Sequence, residues 1–158
     1  MQGIIVGLGG RARSWVEVCR RNTDVTLVGY VDIVPEQRMR MAEQFKLPKE
    51  QLFAALREAA RAVQADFVLD VTSPAAHEAV ATEAFESGLH VIGEKPLSDD
   101  FAAAKRIVAA AESAGRTHMV TQNYRFGRLP RTTHRVLQEG IIGEPAQPGR
   151  WRGHETDG

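Results

Sequence analysis

IIVGLGGRA, residues 4–12, is a short apolar run that breaks abruptly into glycines. Ile4-Ile5-Val6 is β-branched throughout and reads as a buried strand. Behind the loop, residues 13–21 carry Trp15, Val16, Val18 and Cys19 among charges, the pattern of a helix with one apolar face. Between the two, Gly7, Gly9 and Ala12 stand in the spacing G-x-G-x-x-A. Each residue type answers a physical need: Gly7 the tight turn, Gly9 the close approach of a pyrophosphate, and small Ala12 the packing of helix on strand. Free N–H groups at the helix start then attract the anion. Gly10 completes the loop, and Arg11 and Arg13 are either further phosphate contacts or solvated arginines of a helix start.

A glycine loop of this kind gains meaning from an acid at the end of the next strand. Residues 25–31, VTLVGYV, read as that strand, and Asp32 closes it. A carboxylate there is placed to accept hydrogen bonds from the ribose hydroxyls of NAD. It also repels a 2′-phosphate, and Ile33 and Val34 offer no cation to offset it. Arg38, on the helix that follows, keeps NADP as the alternative cofactor.

The remaining chain continues the alternation. Pro35 opens a helix through Phe45, and the Ala-rich residues 51–63 predict another by propensity. FVLDV at 67–71 predicts a third strand, Ser73-Pro74 a helix to Ser87 stopped by Gly88, and HVIG at 90–93 a fourth strand. Ser98, Asp99 and Asp100 supply the N-cap and first turn of a helix ending near Gly115. THMVT at 117–121 predicts a fifth strand, and residues 130–139 a last helix stopped by Gly140. Strands alternating with helices imply right-handed crossovers, and so an α/β domain with a doubly wound parallel sheet over residues 1–125.

Composition narrows the function classes. In 158 residues, 20 Lys plus Arg balance 20 Asp plus Glu, so no net field draws the chain to nucleic acid or an anionic membrane. No apolar run approaches the roughly 20 residues of a membrane span. The single cysteine, Cys19, implies a cytoplasmic protein without internal disulfides, and the five scattered histidines predict no metal site.

Several motifs in order carry a resemblance that no one of them would: VGLGGRAR, VTSPAAHEAVATEAFESGLHVIGEKPLS, TQNYRF and LQEGIIGEP. From residue 2 to about 144 the chain resembles the N-terminal, Rossmann-fold domain of the Gfo/Idh/MocA oxidoreductases, named for glucose–fructose oxidoreductase and inositol dehydrogenase. The resemblance implies NAD(P)-dependent oxidation or reduction of a sugar or polyol. It implies that Thr72, Ser73, Pro74 and His77 line the cofactor site, although His77 also suits a helix cap. It implies that Lys95, in Glu94-Lys95-Pro96, touches the reacting substrate and acts in catalysis. Glu94 then either pairs with Lys95 or holds it in place. The resemblance further implies that Asn123 and Arg125 lie near the nicotinamide; Tyr124 between them is as well explained by packing.

The match fades after Gly143-Glu144, where the family continues into a second, substrate-binding domain. The expectation is that this domain is absent: residues 126–144 read as a linking helix and the start of a truncated second domain, and 145–158 as a flexible tail. His154 and Asp157 in that tail belong to no motif. Two readings stay open, an oxidoreductase represented by its cofactor domain and a non-catalytic dinucleotide-binding module or redox sensor. Apolar residues such as Ile141 and Ile142, left uncovered, would favour a homo-oligomer.

Overall fold

The computed structural model describes residues 1–144; the expected tail at 145–158 lies outside the described residues. Six strands form one sheet: β1 (Gln2–Val6), β2 (Thr26–Val31), β3 (Leu52–Phe53), β4 (Phe67–Asp70), β5 (His90–Gly93) and β6 (His118–Val120). Their order is β3-β2-β1-β4-β5-β6, and every neighbouring pair is parallel. Five helices supply the connections: α1 (Ala12–Arg21), α2 (Pro35–Phe45), α3 (Leu56–Ala62), α4 (His77–Glu86) and α5 (Phe101–Ala114).

The two-residue period of the strands builds two cores. Ile4, Val68 and Val91 face one side, where they meet Leu56, Ala84, Phe85 and Ile107 of α3, α4 and α5. Their neighbours Ile5 and Leu69 face the other side, against Val16 and Cys19 of α1 and Met41 and Phe45 of α2. Ile4 and Ile5 are both fully buried. At about 1.5–3 kcal/mol for each such side chain, adjacent residues of one strand anchor opposite layers. The doubly wound sheet is therefore visible in Ile4-Ile5 alone.

The helix expected over residues 51–63 forms only in its second half. Residues Lys49–Gln51 make a 3-10 turn, β3 follows, and α3 starts at Leu56. Phe53 is the reason: it is buried in the α3 side core, and β3 pairs Leu52 with Tyr30 and Phe53 with Val31. Burial of one aromatic side chain outweighs alanine propensity spread over the same segment. The sheet thus has six strands rather than five. Two smaller corrections concern helix starts. The 73–87 helix begins as a 3-10 turn at Pro74–Ala76, and the cap of α5 is Asp100, whose carboxylate accepts the Ala103 N–H at 2.7 Å. Met119 in edge strand β6 is half exposed.

The first compact unit is Met1–Thr121, and a second begins at Gln122. Within the second, a 3-10 turn (Asn123–Phe126) leads into α6 (Arg128–Gln138), which has no buried residue.

Candidate functional site

The strand register gathers the predicted residues along one edge of the sheet. Val6 is level with Val31 and with Asp70, and Asp70 is level with Gly93. Gly7, Asp32, Val71 and Glu94 therefore leave the sheet side by side at its carboxyl end. Main-chain hydrogen bonds carry the pairing one residue further: Gly7 N–H to Val31 O at 2.9 Å, Val71 N–H to Val6 O at 2.8 Å, and Glu94 N–H to Asp70 O at 2.9 Å. The strand order reverses direction between β1 and β4, the place where open α/β sheets bind ligands.

The three loop glycines have different causes. Gly7 has φ +87°, and a Cβ there would stand 2.9 Å from backbone atoms of Val71 and Thr72. Its identity follows from the fold. A Cβ on Gly9 or Gly10 would meet nothing within 4 Å, and neither has a left-handed φ. Among the described residues nothing fills the space a side chain would take at these two positions, which leaves room for a ligand against the backbone. Ala12 is fully buried where α1 meets the sheet. The helix begins with no side-chain cap and no acid in its first turn; the Ala12 N–H is taken by Gly9 O at 3.1 Å, and the dipole, which meets no acid of that turn, suits a diphosphate.

Asp32 is locked in place by its own surroundings. One carboxylate oxygen accepts the Leu8 N–H at 2.6 Å and the other the Val34 N–H at 2.8 Å. A carboxylate offers about four acceptor sites, which leaves room for ribose hydroxyls. The Arg38 guanidinium donates to the main-chain oxygen of Asp32. The loop, the helix start and this carboxylate fit a dinucleotide.

Glu94 does not pair with Lys95. Its Oε1 accepts the Trp15 indole N–H at 2.7 Å and the Arg11 Nε–H at 3.2 Å, and Glu94 is buried. Burial pushes its carboxyl up, but hydrogen bonds from Trp15 and Arg11, the Arg11 charge and the Lys95 N–H outweigh this and hold it below the usual carboxylate value. Lys95 is exposed, the Lys95–Pro96 peptide is cis, and the described residues provide no ion pair to the Lys95 ammonium. Its charge is available to a ligand.

On the other side, Thr72 follows β4 and donates its hydroxyl to Asp70 Oδ1 at 2.6 Å, with its N–H on the same oxygen at 3.0 Å. Asp70 is buried, which raises its carboxyl; the Thr72 bonds and the nearby His77 act in the opposite direction. Ser73 is exposed, and Pro74 opens the 3-10 turn. His77, the first residue of α4, is buried to 2% exposure rather than lining an open surface. Its Nδ1 lies 3.0 Å from Pro96 O and 3.4 Å from Leu97 O, and its Nε2 lies 3.3 Å from Thr72 O. Asn123 and Arg125 lie in the second unit, where the Arg125 guanidinium sits 5.5 Å over the Phe126 ring.

Trp15, Asp70, His118 and Thr121 were not singled out from the sequence. Trp15 had a signal, since Arg11 and Trp15 are four residues apart and share a helix face. Asp70 read only as part of strand three. His118 packs edge-on to Phe85, with ring centroids 6.1 Å apart, and burial followed by the His77 charge lowers its pKa. The buried Thr121 hydroxyl has no hydrogen-bond partner among the described residues.

A parallel sheet in this order, with a glycine loop at its reversal point, defines a Rossmann-type α/β domain. The chain belongs to the Gfo/Idh/MocA family: residues 1–122 match an oxidoreductase family with an NAD-binding Rossmann fold. It is 30% identical over 138 residues to an inositol 2-dehydrogenase of Leifsonia xyli, covering 87% of this chain and 40% of that protein. It is 28% identical over 144 residues to a D-apiose dehydrogenase of Paraburkholderia graminis, covering 91% and 38%. Its fold is that of an oxidoreductase from Agrobacterium radiobacter solved with NAD+, L-tartaric acid and magnesium, with a TM-score of 0.85 at 24% identity over 92% of this chain and 42% of that one. The chain thus spans about two-fifths of the length of these relatives. No helix among the described residues is long and apolar enough to cross a membrane.

Proposed function

We propose that this chain is the cofactor-binding part of an NAD-dependent oxidoreductase that acts on a sugar or polyol. The observation that carries the reading is the shared sheet edge: a helix without a side-chain cap behind Gly9 and Gly10, the Asp32 carboxylate, and the Lys95 ammonium, which has no ion pair among the described residues. Inositol 2-dehydrogenase and D-apiose dehydrogenase among the relatives support the polyol or sugar class.

In this reading the α1 N–H groups, with Arg11, hold the diphosphate, and Asp32 accepts the ribose hydroxyls. Thr72, Ser73 and Pro74 form the wall of the cofactor site. When bound, the cofactor supplies hydride exchange at its nicotinamide. Lys95 hydrogen-bonds the substrate oxygen whose carbon gains or loses hydride. Its ammonium orients that carbon–oxygen bond, stabilises negative charge on the oxygen, and exchanges the proton there. Glu94 accepts the Trp15 and Arg11 hydrogen bonds, so its part is to fix the loop and helix. Asp32 disfavours a 2′-phosphate, which makes NAD the cofactor over NADP. One buried cysteine, Cys19, suits the cytoplasm, and the exposed Ile141 and Ile142 suit self-association.

A screen of polyols and sugars with NAD and NADP tests this. Turnover that prefers NAD and is abolished by Lys95→Ala is the expected result. Saturable NADH binding with no turnover on any polyol or sugar would favour the non-catalytic module.

A further inference from the structure

We propose that His77 is a positioning residue that clamps the Thr72 loop to the Lys95 turn without touching cofactor or substrate. The inference rests on the reading of that sheet edge as the cofactor site. Three observations carry it. His77 is 2% exposed, so a bound ligand cannot reach its ring directly. Both ring nitrogens face main-chain carbonyls, and these belong to two different loops. One loop follows β4 and carries Thr72 and Ser73; the other follows β5 and carries Lys95. The ring therefore spans the gap between two loops whose spacing would otherwise rest on strand pairing that ends at Glu94 N–H to Asp70 O.

Hydrogen-bond geometry assigns the donor. Both contacts are to carbonyl oxygens, which only accept, so holding the two loops takes an N–H on each ring nitrogen, and the shorter contact, 3.0 Å from Nδ1 to Pro96 O, is the better donation. Pro96 directly follows Lys95, so this bond fixes the direction in which the chain leaves the ammonium-bearing residue. Asp70 is bound to Thr72, on the loop that His77 Nε2 faces. The pair extends the network to the base of β4.

The test compares His77→Ala and His77→Asn with the wild-type chain. An asparagine amide N–H can take the place of Nδ1–H, whereas alanine leaves Pro96 O without a donor. Hydrogen–deuterium exchange is read by mass spectrometry in peptides covering 72–76 and 94–99, and NADH affinity by tryptophan fluorescence. For His77→Ala we expect exchange in both segments to rise about 3- to 10-fold, and NADH to bind about 3- to 10-fold more weakly, the equivalent of one hydrogen bond. His77→Asn should restore both to within about 2-fold. Exchange and affinity unchanged in His77→Ala would overturn the proposal, as would a uniform rise across the chain that asparagine does not reverse. Should His77→Ala not fold, 15N spectra of imidazole-labelled wild type decide: slowly exchanging protons on both Nδ1 and Nε2 support the clamp, and a bare ring nitrogen overturns it. A wild-type chain that ignores NADH removes the cofactor reading alone, because exchange and the ring-nitrogen signals still report on the clamp.

Discussion

The Trp15 indole N–H donates to Glu94 Oε1 at 2.7 Å, joining the helix behind the glycine loop to the residue before Lys95. The two residues are 79 apart in the chain, and neither belongs to the glycine motif. With Arg11 on the same oxygen, Glu94 joins the start of α1 to the turn that carries Lys95.

Replacing Trp15 by Phe keeps an aromatic ring but removes the donor, leaving a buried carboxylate with Arg11 and the Lys95 N–H. We predict a loss of about 1–3 kcal/mol in urea unfolding. Glu94→Gln keeps an acceptor for Trp15 and should cost less at neutral pH. Because the Glu94 carboxyl titrates below its ordinary value in the fold, its stabilisation is present above the unfolded pKa and is lost as pH falls through the folded one. The wild-type advantage over Glu94→Gln should therefore shrink in acid. An advantage that is constant with pH would show that the carboxylate is not the bonded form.

The glycines separate fold from binding. Gly7→Ala places a Cβ 2.9 Å from the Val71 and Thr72 backbone in a left-handed conformation, and should destabilise by about 1–3 kcal/mol. Gly9→Ala meets no protein atom within 4 Å, and should leave stability within about 0.5 kcal/mol. It should nonetheless weaken NADH binding about tenfold, since the new methyl occupies the space of the ligand. Denaturation and titration of the two variants check both halves. Gly9→Ala with unchanged NADH affinity would count against a diphosphate at this loop.

Much of this was legible before any coordinates. Ile4-Ile5, VTLVGYV and FVLDV carry apolar residues at adjacent positions, because their strands are covered on both faces, and that pattern points to the parallel sheet. Asp32 could be placed because a carboxylate at a strand end has a recognisable distance from the loop. The partner of Glu94 could not, since a 79-residue contact follows from the crossover that brings α1 beside β5, not from local pattern. His77 illustrates the same limit: position in a motif suggested the cofactor wall, while its burial is set by how the β4 and β5 loops close over it. β3 was missed because two residues carry no periodicity, and only the pairing of Phe53 with Val31 reveals them.

His118 gives a pH signature of its own. Burial, and then the His77 charge, lower its pKa from 6.5. A depressed folded pKa means stability that is full above the unfolded pKa and declines as pH falls through the folded value. Wild-type stability should thus drop below about pH 6.5 relative to His118→Gln, which cannot titrate. Asp70, whose raised carboxyl pKa contributes in the opposite sense, is common to both proteins and cancels in the difference. Equal slopes for the two between pH 7 and 5 would contradict the burial argument.

The central claim is that NAD binds along the sheet edge marked by Gly9, Asp32 and Lys95. Calorimetric titration of the chain with NADH, beside the same titration of Asp32→Asn, tests it most directly. The account predicts one-site binding with a dissociation constant below about 1 mM, or some 4 kcal/mol, weakened roughly 10- to 100-fold by loss of the charge that accepts the ribose hydroxyls. No saturable heat at millimolar NADH, or identical affinity in Asp32→Asn, would contradict it.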